Sequence, residues 1–327
     1  MNSKSKILIS LISVALFFLG GFFLPKKIGS EKSVIFSVDR GWGSKEIAQS
    51  LEKENLIWWG PLFRGYVLIT GKSKKLQAGV YELNASMNML TIAGKIALGD
   101  TLKKTITIPE GFNLKQIEDE LSLELLGHNL LGLFTADFKS EFGFLNDAPA
   151  GESLEGFFFP DTYKLDVSMT DNEIAETFLK NFDKKMTADL KEEIKKQNKT
   201  IFEIITMASL IEKEANKIED KEIISGILWK RLKAGMPLQV DATILYITGK
   251  NGTGVSIEDT KIDSPYNTYK YRGLPKGPIC SPGLESVEAA INPKTSNYWY
   301  YLSTPEGKTI FSRTLEEHNY AKAKYLK

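Results

Sequence analysis

The sequence of 327 residues contains one cysteine, Cys280, so no intramolecular disulfide framework can exist. Histidine is almost as scarce. His128 and His318 are the only two, which removes most zinc sites and makes any Ser/His/Asp triad depend on one of them. Net charge is only +1, and no basic stripe is interleaved with aromatics, so nothing points to nucleic acid. No Gly-x-Ser-x-Gly elbow presents a serine nucleophile. Gly41-x-Gly43 and Gly252-x-Gly254 lack the rest of a phosphate-binding fingerprint and read as turns. No metal or cofactor is expected. What remains for chemistry is carboxylates, amides, hydroxyls and many aromatic rings, the side chains that sugar sites use.

Length allows about two domains, and 42% apolar with 25% charged residues is ordinary for a globular chain. One long apolar run interrupts this balance. Ile7 to Leu24 is uncharged, with Lys4 and Lys6 before it and Lys26 and Lys27 after it. Its length is at the short end for a membrane span. A cleaved signal peptide is the competing reading, but Pro25-Lys26-Lys27 follows where an Ala-x-Ala-like site would stand. A signal anchor is favoured, with residues 1–6 as a cytoplasmic tail and the bulk of the chain outside the cytoplasm.

Residues 25–32 then read as a tether. Ser33 to Val38 reads as a strand, and Gly41-Trp42-Gly43 as a turn before an amphipathic helix with Ser44 as a possible N-cap. The pattern recurs at an offset of 70 residues: Val38, Gly41, Trp42, Ile47 and Leu51 match Ile108, Gly111, Phe112, Ile117 and Leu121. These strand–turn–helix units resemble the LysM family of polysaccharide-binding modules. Phe157-Phe158-Phe159-Pro160-Asp161-Thr162 reads as a buried strand entering a turn, and Asp171 to Asn198 as a solvated pair of helices. The last third is loop-rich, and long loops inside a compact domain usually carry function.

Thr200 to Asn216 carries the chemical signal. Thr200 followed by Glu203 is a capping box, so a helix begins there. Ile201, Ile204, Ile205, Ala208, Ile211 and Ala215 share one arc, and Glu212 falls inside it, whereas Glu203 and Glu214 fall on the far side. A carboxyl group among apolar neighbours is desolvated, which favours its protonated form and suits a general acid. A salt-bridged glutamate at the rim of a core is the plain alternative. An ordinary glycosidase needs a second carboxylate. Asp241 and Asp161 are candidates, and capping or turn roles account for both equally well.

Six blocks in one order then carry a family resemblance: Leu154-Glu155-Gly156 to Tyr163, Ala208 to Glu214, Leu238-Gln239 to Thr243, Ser264 to Tyr269, Gly273 to Gly283, and His318-Asn319. They resemble the YceG-like family of endolytic murein transglycosylases. The resemblance implies that Glu212, the first of the Glu-Lys-Glu pair, is the catalytic acid. It implies cleavage of the MurNAc–GlcNAc β-1,4 bond within glycan strands without water, giving 1,6-anhydroMurNAc ends and terminating nascent strands. Gln239, Asp241, Thr243, Tyr266, Asn267 and Asn292 are candidates for sugar binding or oxocarbenium stabilisation, and each has a structural alternative. The implied partners are peptidoglycan strands, the cell membrane through residues 7–24, and peptidoglycan synthases. The expected fold is α+β: a membrane anchor, a LysM-like module over residues 33–100, and a YceG-like catalytic domain with long loops over residues 101–327. A water-using muramidase and a non-catalytic glycan-binding scaffold are the rival functions.

Overall fold

The computed structural model describes residues 20–29, 32–125, 127–250 and 254–326. Most of the apolar run from Ile7 lies outside the described residues; among these, no helix is long and apolar enough to cross a membrane. The fold is α+β, with two-stranded sheets among many helices. The chain divides into two compact units. The first runs up to Thr105 and adds Lys164–Met169; the second holds Ile106–Tyr163 and Thr170–Lys327.

In the first unit, strand β1 (Ser33–Val38) pairs antiparallel with β2 (Gly79–Asn84), Ser33 opposite Asn84 and Val38 opposite Gly79. Between them lie helices α1 (Ser44–Lys53) and α2 (Gly60–Ile69), and α3 (Met89–Leu98) follows. Alternation along β1 and β2 sends Phe36, Val38, Tyr81 and Leu83 inward, where they meet Ile47 and Leu51 of α1, Phe63 and Val67 of α2, and Ile92 and Ile96 of α3. The N-cap of α1 is Gly43, one residue before Ser44, and the Glu46 carboxylate accepts its N–H at 3.0 Å. The last residues of the apolar run are themselves docked on this unit. Phe22 meets the Tyr66 ring edge-on at 5.9 Å, and Trp58 Nε1 donates to the Leu24 carbonyl.

In the second unit, β3 (Lys103–Ile108) pairs with β4 (Asp161–Asp166), and the unit boundary falls inside both strands. Helix α4 (Leu114–Glu124) follows β3. The repeated pattern is real local structure: both copies form a strand, a glycine with positive φ (Gly41 at 90°, Gly111 at 78°) and a helix whose matching apolar positions are buried. Phe157 to Phe159 are not a strand. All three consecutive rings are buried, which a pleated strand with alternating faces does not achieve against one core. Gly156, with φ 82°, turns the chain, and regular pairing begins only at Asp161. Phe157 packs against Phe182 at 5.3 Å, and Phe158 against Phe178 at 4.8 Å. Those partners belong to α5 (Asp171–Lys185), which therefore buries a full apolar face instead of lying solvated; α6 (Ala188–Lys196) is the more polar of the pair.

Helix α7 (Ile201–Glu214) is the centre of this unit. It packs against α8 (Ile218–Lys233), α9 (Asp241–Thr248) and α10 (Leu284–Ile291). An antiparallel hairpin, β5 (Tyr300–Ser303) with β6 (Thr309–Ser312), and helix α11 (Leu315–Tyr325) complete it. Neither histidine is placed for catalysis. His128 Nδ1 pairs with Asp171 at 2.7 Å. His318 stacks on Tyr300, and burial holds it down to about 4, so its ring is neutral near pH 7.

Candidate active site

The capping box starts α7: Thr200 Oγ1 accepts the Glu203 N–H at 3.1 Å, and Glu203 Oε2 accepts the Thr200 N–H at 2.8 Å. Every residue from Ile204 to Ile211 is buried. The helix is thus buried all round and not along one arc only. Two bonds tie it to the segment before α10. Ile279 N–H donates to Ser209 Oγ at 3.1 Å, and the Cys280 thiol donates to the Ser209 carbonyl at 3.4 Å. Burial pushes that thiol up, so it stays neutral and serves packing.

This tie brings the start of α10 to the last turn of α7, where Glu212 emerges. Its side chain is only 10% exposed. Three donors converge on Glu212 Oε2: Ser286 Oγ at 2.5 Å, Gly283 N–H at 3.1 Å and Lys221 Nζ at 3.4 Å. The surroundings are therefore polar, not the apolar neighbourhood that the helical arc suggests. Lys221 is itself buried, and Glu285 Oε2 lies 3.8 Å from its ammonium. Lys221 sits three residues before Ile224 on the inner face of α8, a spacing visible in the sequence but easily read as surface charge. Ser286 and Gly283 carry no such signal; only the tertiary fold brings them to Glu212.

The turn after β3 closes another side. Gly111 N–H donates to the Ser281 carbonyl, and Ser281 N–H to the Phe112 carbonyl, both at 2.8 Å. A Cβ on Gly111 would lie 3.7 Å from Glu212 Cγ. From the same turn, Glu110 lays its carboxyl group against the bare Cα of Gly283, where a Cβ would meet Glu110 Oε1 at 2.0 Å. Burial, Glu212 and Glu285 push Glu110 up, and Lys221 opposes them. Four residues further on, the Leu114 N–H at the start of α4 reaches the fully buried Glu155, 3.0 Å from Oε1 and 3.1 Å from Oε2. Tyr246 OH donates to Glu155 Oε2 at 3.2 Å. Burial outweighs these bonds and raises Glu155 to about 7. A cavity of about 390 Å³ opens beside it, lined by Asn113, Lys115, Glu155, Tyr246, Ser264 and Tyr266 among others.

The other candidates are spread around this centre. Tyr266 reaches the cavity and packs on Tyr246 with ring centroids 5.0 Å apart; burial raises its hydroxyl to about 12. Asn267 is fully buried, with Nδ2 on the Thr260 and Ile262 carbonyls and Oδ1 accepting from Tyr269 and Lys270 N–H groups. Thr243 is likewise buried between the Val240 carbonyl and Thr268 Oγ1. Both residues brace the 238–270 segment. Gln239 stands at φ 54° with its N–H on the Thr268 carbonyl. Asp241 begins α9 and accepts a hydrogen bond from Tyr269 OH. Beside it Glu214, on the far face of α7, bonds to Tyr301, and burial reinforced by Asp241 raises it to about 7. Asn292 is exposed at the C-terminal end of α10, opposite the end that holds Glu212. Asp161, at the head of β4, accepts from the Thr162 N–H and from Asn181 and pairs with Lys185, bonds that hold its carboxyl low and make it a structural post.

The model of the YceG-like family matches residues 36–324. An endolytic murein transglycosylase of Bacillus subtilis (strain 168) is 36% identical, covering 94% of this chain and 91% of its own length. One from Streptococcus pneumoniae serotype 2 is 32% identical over 97% of this chain, which spans 64% of that longer relative. The crystal structure of a yceG-like protein from Listeria monocytogenes aligns with a TM-score of 0.62 and 33% identity, covering 90% of this chain and all of that one. The chain belongs to the YceG-like family.

Proposed function

We propose that this chain is a lytic transglycosylase that cuts peptidoglycan glycan strands internally, with Glu212 as its acid and base. The observation that carries the reading is the setting of Glu212: a nearly closed carboxyl group on which Ser286, Gly283 and Lys221 converge through Oε2. Those donors fix the group's orientation and stabilise the carboxylate that remains once its proton is given away. Oε1 is then the oxygen that exchanges the proton with substrate. The names of the relatives from Bacillus subtilis and Streptococcus pneumoniae support the same reaction class.

The steps balance without water. Protonated Glu212 donates to the glycosidic oxygen of the MurNAc–GlcNAc β-1,4 bond, and the C1–O bond breaks. The C6 oxygen of MurNAc attacks C1, and its proton passes to the Glu212 carboxylate. The product carries a 1,6-anhydro ring, and the acid is regenerated. Because the nucleophile belongs to the sugar, no protein carboxylate has to activate water, unlike an inverting or retaining hydrolase. Tyr266 and Asp241 serve the flanking sugars in this reading, and the strand–helix–helix–strand first unit serves as a LysM-like glycan-binding module. The run Ile7–Leu24 anchors the chain in the cell membrane with its bulk outside the cytoplasm.

Mass spectrometry of products from un-crosslinked glycan strands tests the reaction. The wild type yields internal fragments with anhydro ends, and Glu212→Gln lowers the rate by roughly 10²- to 10⁴-fold. The amide oxygen introduced by Glu212→Gln still accepts from Gly283 and Ser286, so circular dichroism and glycan retention stay unchanged. Reducing ends from the wild type would instead show hydrolysis, and strand binding without cleavage would show a scaffold.

A further inference from the structure

We propose that Glu110 is a second functional carboxylate of this site, a positioning residue that acts through Glu212 as a like charge held beside it at Gly283. The inference rests on the reading of Glu212 as the acid.

The geometry is set by one glycine. Glu110 lies against the Cα of Gly283, and the N–H of that same residue is 3.1 Å from Glu212 Oε2. The paired bonds between Gly111, Phe112 and Ser281 hold the Glu110 turn in place. Any larger residue at 283 would expel the carboxyl group, although the φ of −70° there suits every amino acid. The charged groups facing Glu110 are Glu212 from α7, Lys221 from α8 and Glu285 from α10, and Lys213 lies beside Gly111. Three carboxyl groups, one of them the largely exposed Glu285, thus stand near two ammonium groups, Lys221 and Lys213, so full ionisation leaves an excess of negative charge. Such a cluster retains a proton.

That property answers a need of the reaction. Lys221, Ser286 and Gly283 all present positive ends to Glu212 Oε2, whereas the reaction also requires this group to carry a proton. Glu110, packed against the same Gly283, adds a like charge that opposes this field. Glu110 touches no reacting atom in this account.

The test follows the Glu212 carboxyl by NMR in the full chain in detergent, with ¹³C-labelled glutamate side chains, assigned by the signal lost in Glu212→Gln. In Glu110→Gln the Glu212 titration moves to lower pH by an amount on the order of one unit. Glu110→Asp, which keeps the charge, restores most of that shift. Gly283→Ala, whose Cβ displaces Glu110, moves the titration in the same direction as Glu110→Gln. The alkaline limb of glycan cleavage follows each shift. An unmoved Glu212 titration in Glu110→Gln overturns the proposal, and so does a loss of cleavage that is uniform at every pH. Because the titration needs no substrate, it decides the role of Glu110 even if the wild type makes no anhydro product, an outcome that would count against the reaction alone.

Discussion

Glu155 shows how one side chain couples the site to pH. Burial raises it to about 7 although it accepts bonds from Leu114 and Tyr246. Its unfolded value lies near the ordinary value of about 4.3. Between those two values the folded chain binds more protons than the unfolded one, so this residue makes stability fall as pH rises from about 4 to about 7, and level off above. Glu214, raised to about 7 by burial and Asp241, acts in the same direction. Glu155→Gln keeps an acceptor for the Leu114 N–H and removes the titration. Denaturant unfolding at several pH values is expected to show a flatter decline for Glu155→Gln than for the wild type, with the largest gain in stability near pH 8, above the folded-state value and therefore where the whole cost of the buried charge is felt. Parallel curves for the two proteins would show that Glu155 is not the source of the slope.

Among the elements, α8 and α10 depend on close backbone approach. A Cβ on Gly226, within α8, would lie 2.0 Å from the Lys294 carbonyl oxygen, and Lys294 N–H donates to the Glu222 carbonyl at 3.0 Å. Gly226→Ala improves helix propensity by about 1 kcal/mol. Overpacking against a fixed backbone costs about 1–3 kcal/mol or more. The clash wins, because the nearest atom is a carbonyl and not a movable side-chain tip. Net destabilisation of about 1–2 kcal/mol is expected in denaturant titration, and cleavage falls with it, since the 292–294 segment continues directly from α10, whose first turn carries the Ser286 hydroxyl on Glu212. A stabilised Gly226→Ala protein would show that α8 and the Lys294 segment sit further apart.

For the molecule as a whole, the apolar run and the docked residues at and after its end make one prediction. Trp58 Nε1 on the Leu24 carbonyl, Lys26 Nζ on the Ile57 carbonyl and Lys27 N–H on the Ala85 carbonyl hold residues 24–27 to the first unit. Under the anchored reading the full chain stays with the membrane on alkaline carbonate extraction, and deletion of residues 7–24 moves it to the soluble fraction. Release of the full chain by carbonate would overturn the anchor. Recovery of the deleted form still with the membrane would place the attachment elsewhere in the chain.

The sequence by itself determined much of this protein. Capping boxes, apolar spacing and glycine turns locate α7, α8, α10 and the β5–β6 hairpin, because these signals act within a few residues of one another. The same spacing singles out Glu212 on α7. It also suggested an apolar setting and a single buried arc, and there local periodicity reached its limit. Ser286 and Gly283 stand 74 and 71 residues from the carboxylate they hold, and Glu110 comes from a turn before α4. No pattern along the chain records such partners. Packing of α10 on α7, fixed through Ser209, Ile279 and Cys280, decided that Glu212 is paired instead of merely buried. It also placed Asn267 and Thr243 among buried bonds of their own segment, because a side chain's neighbours are set by which elements pack together and not by its place in the sequence.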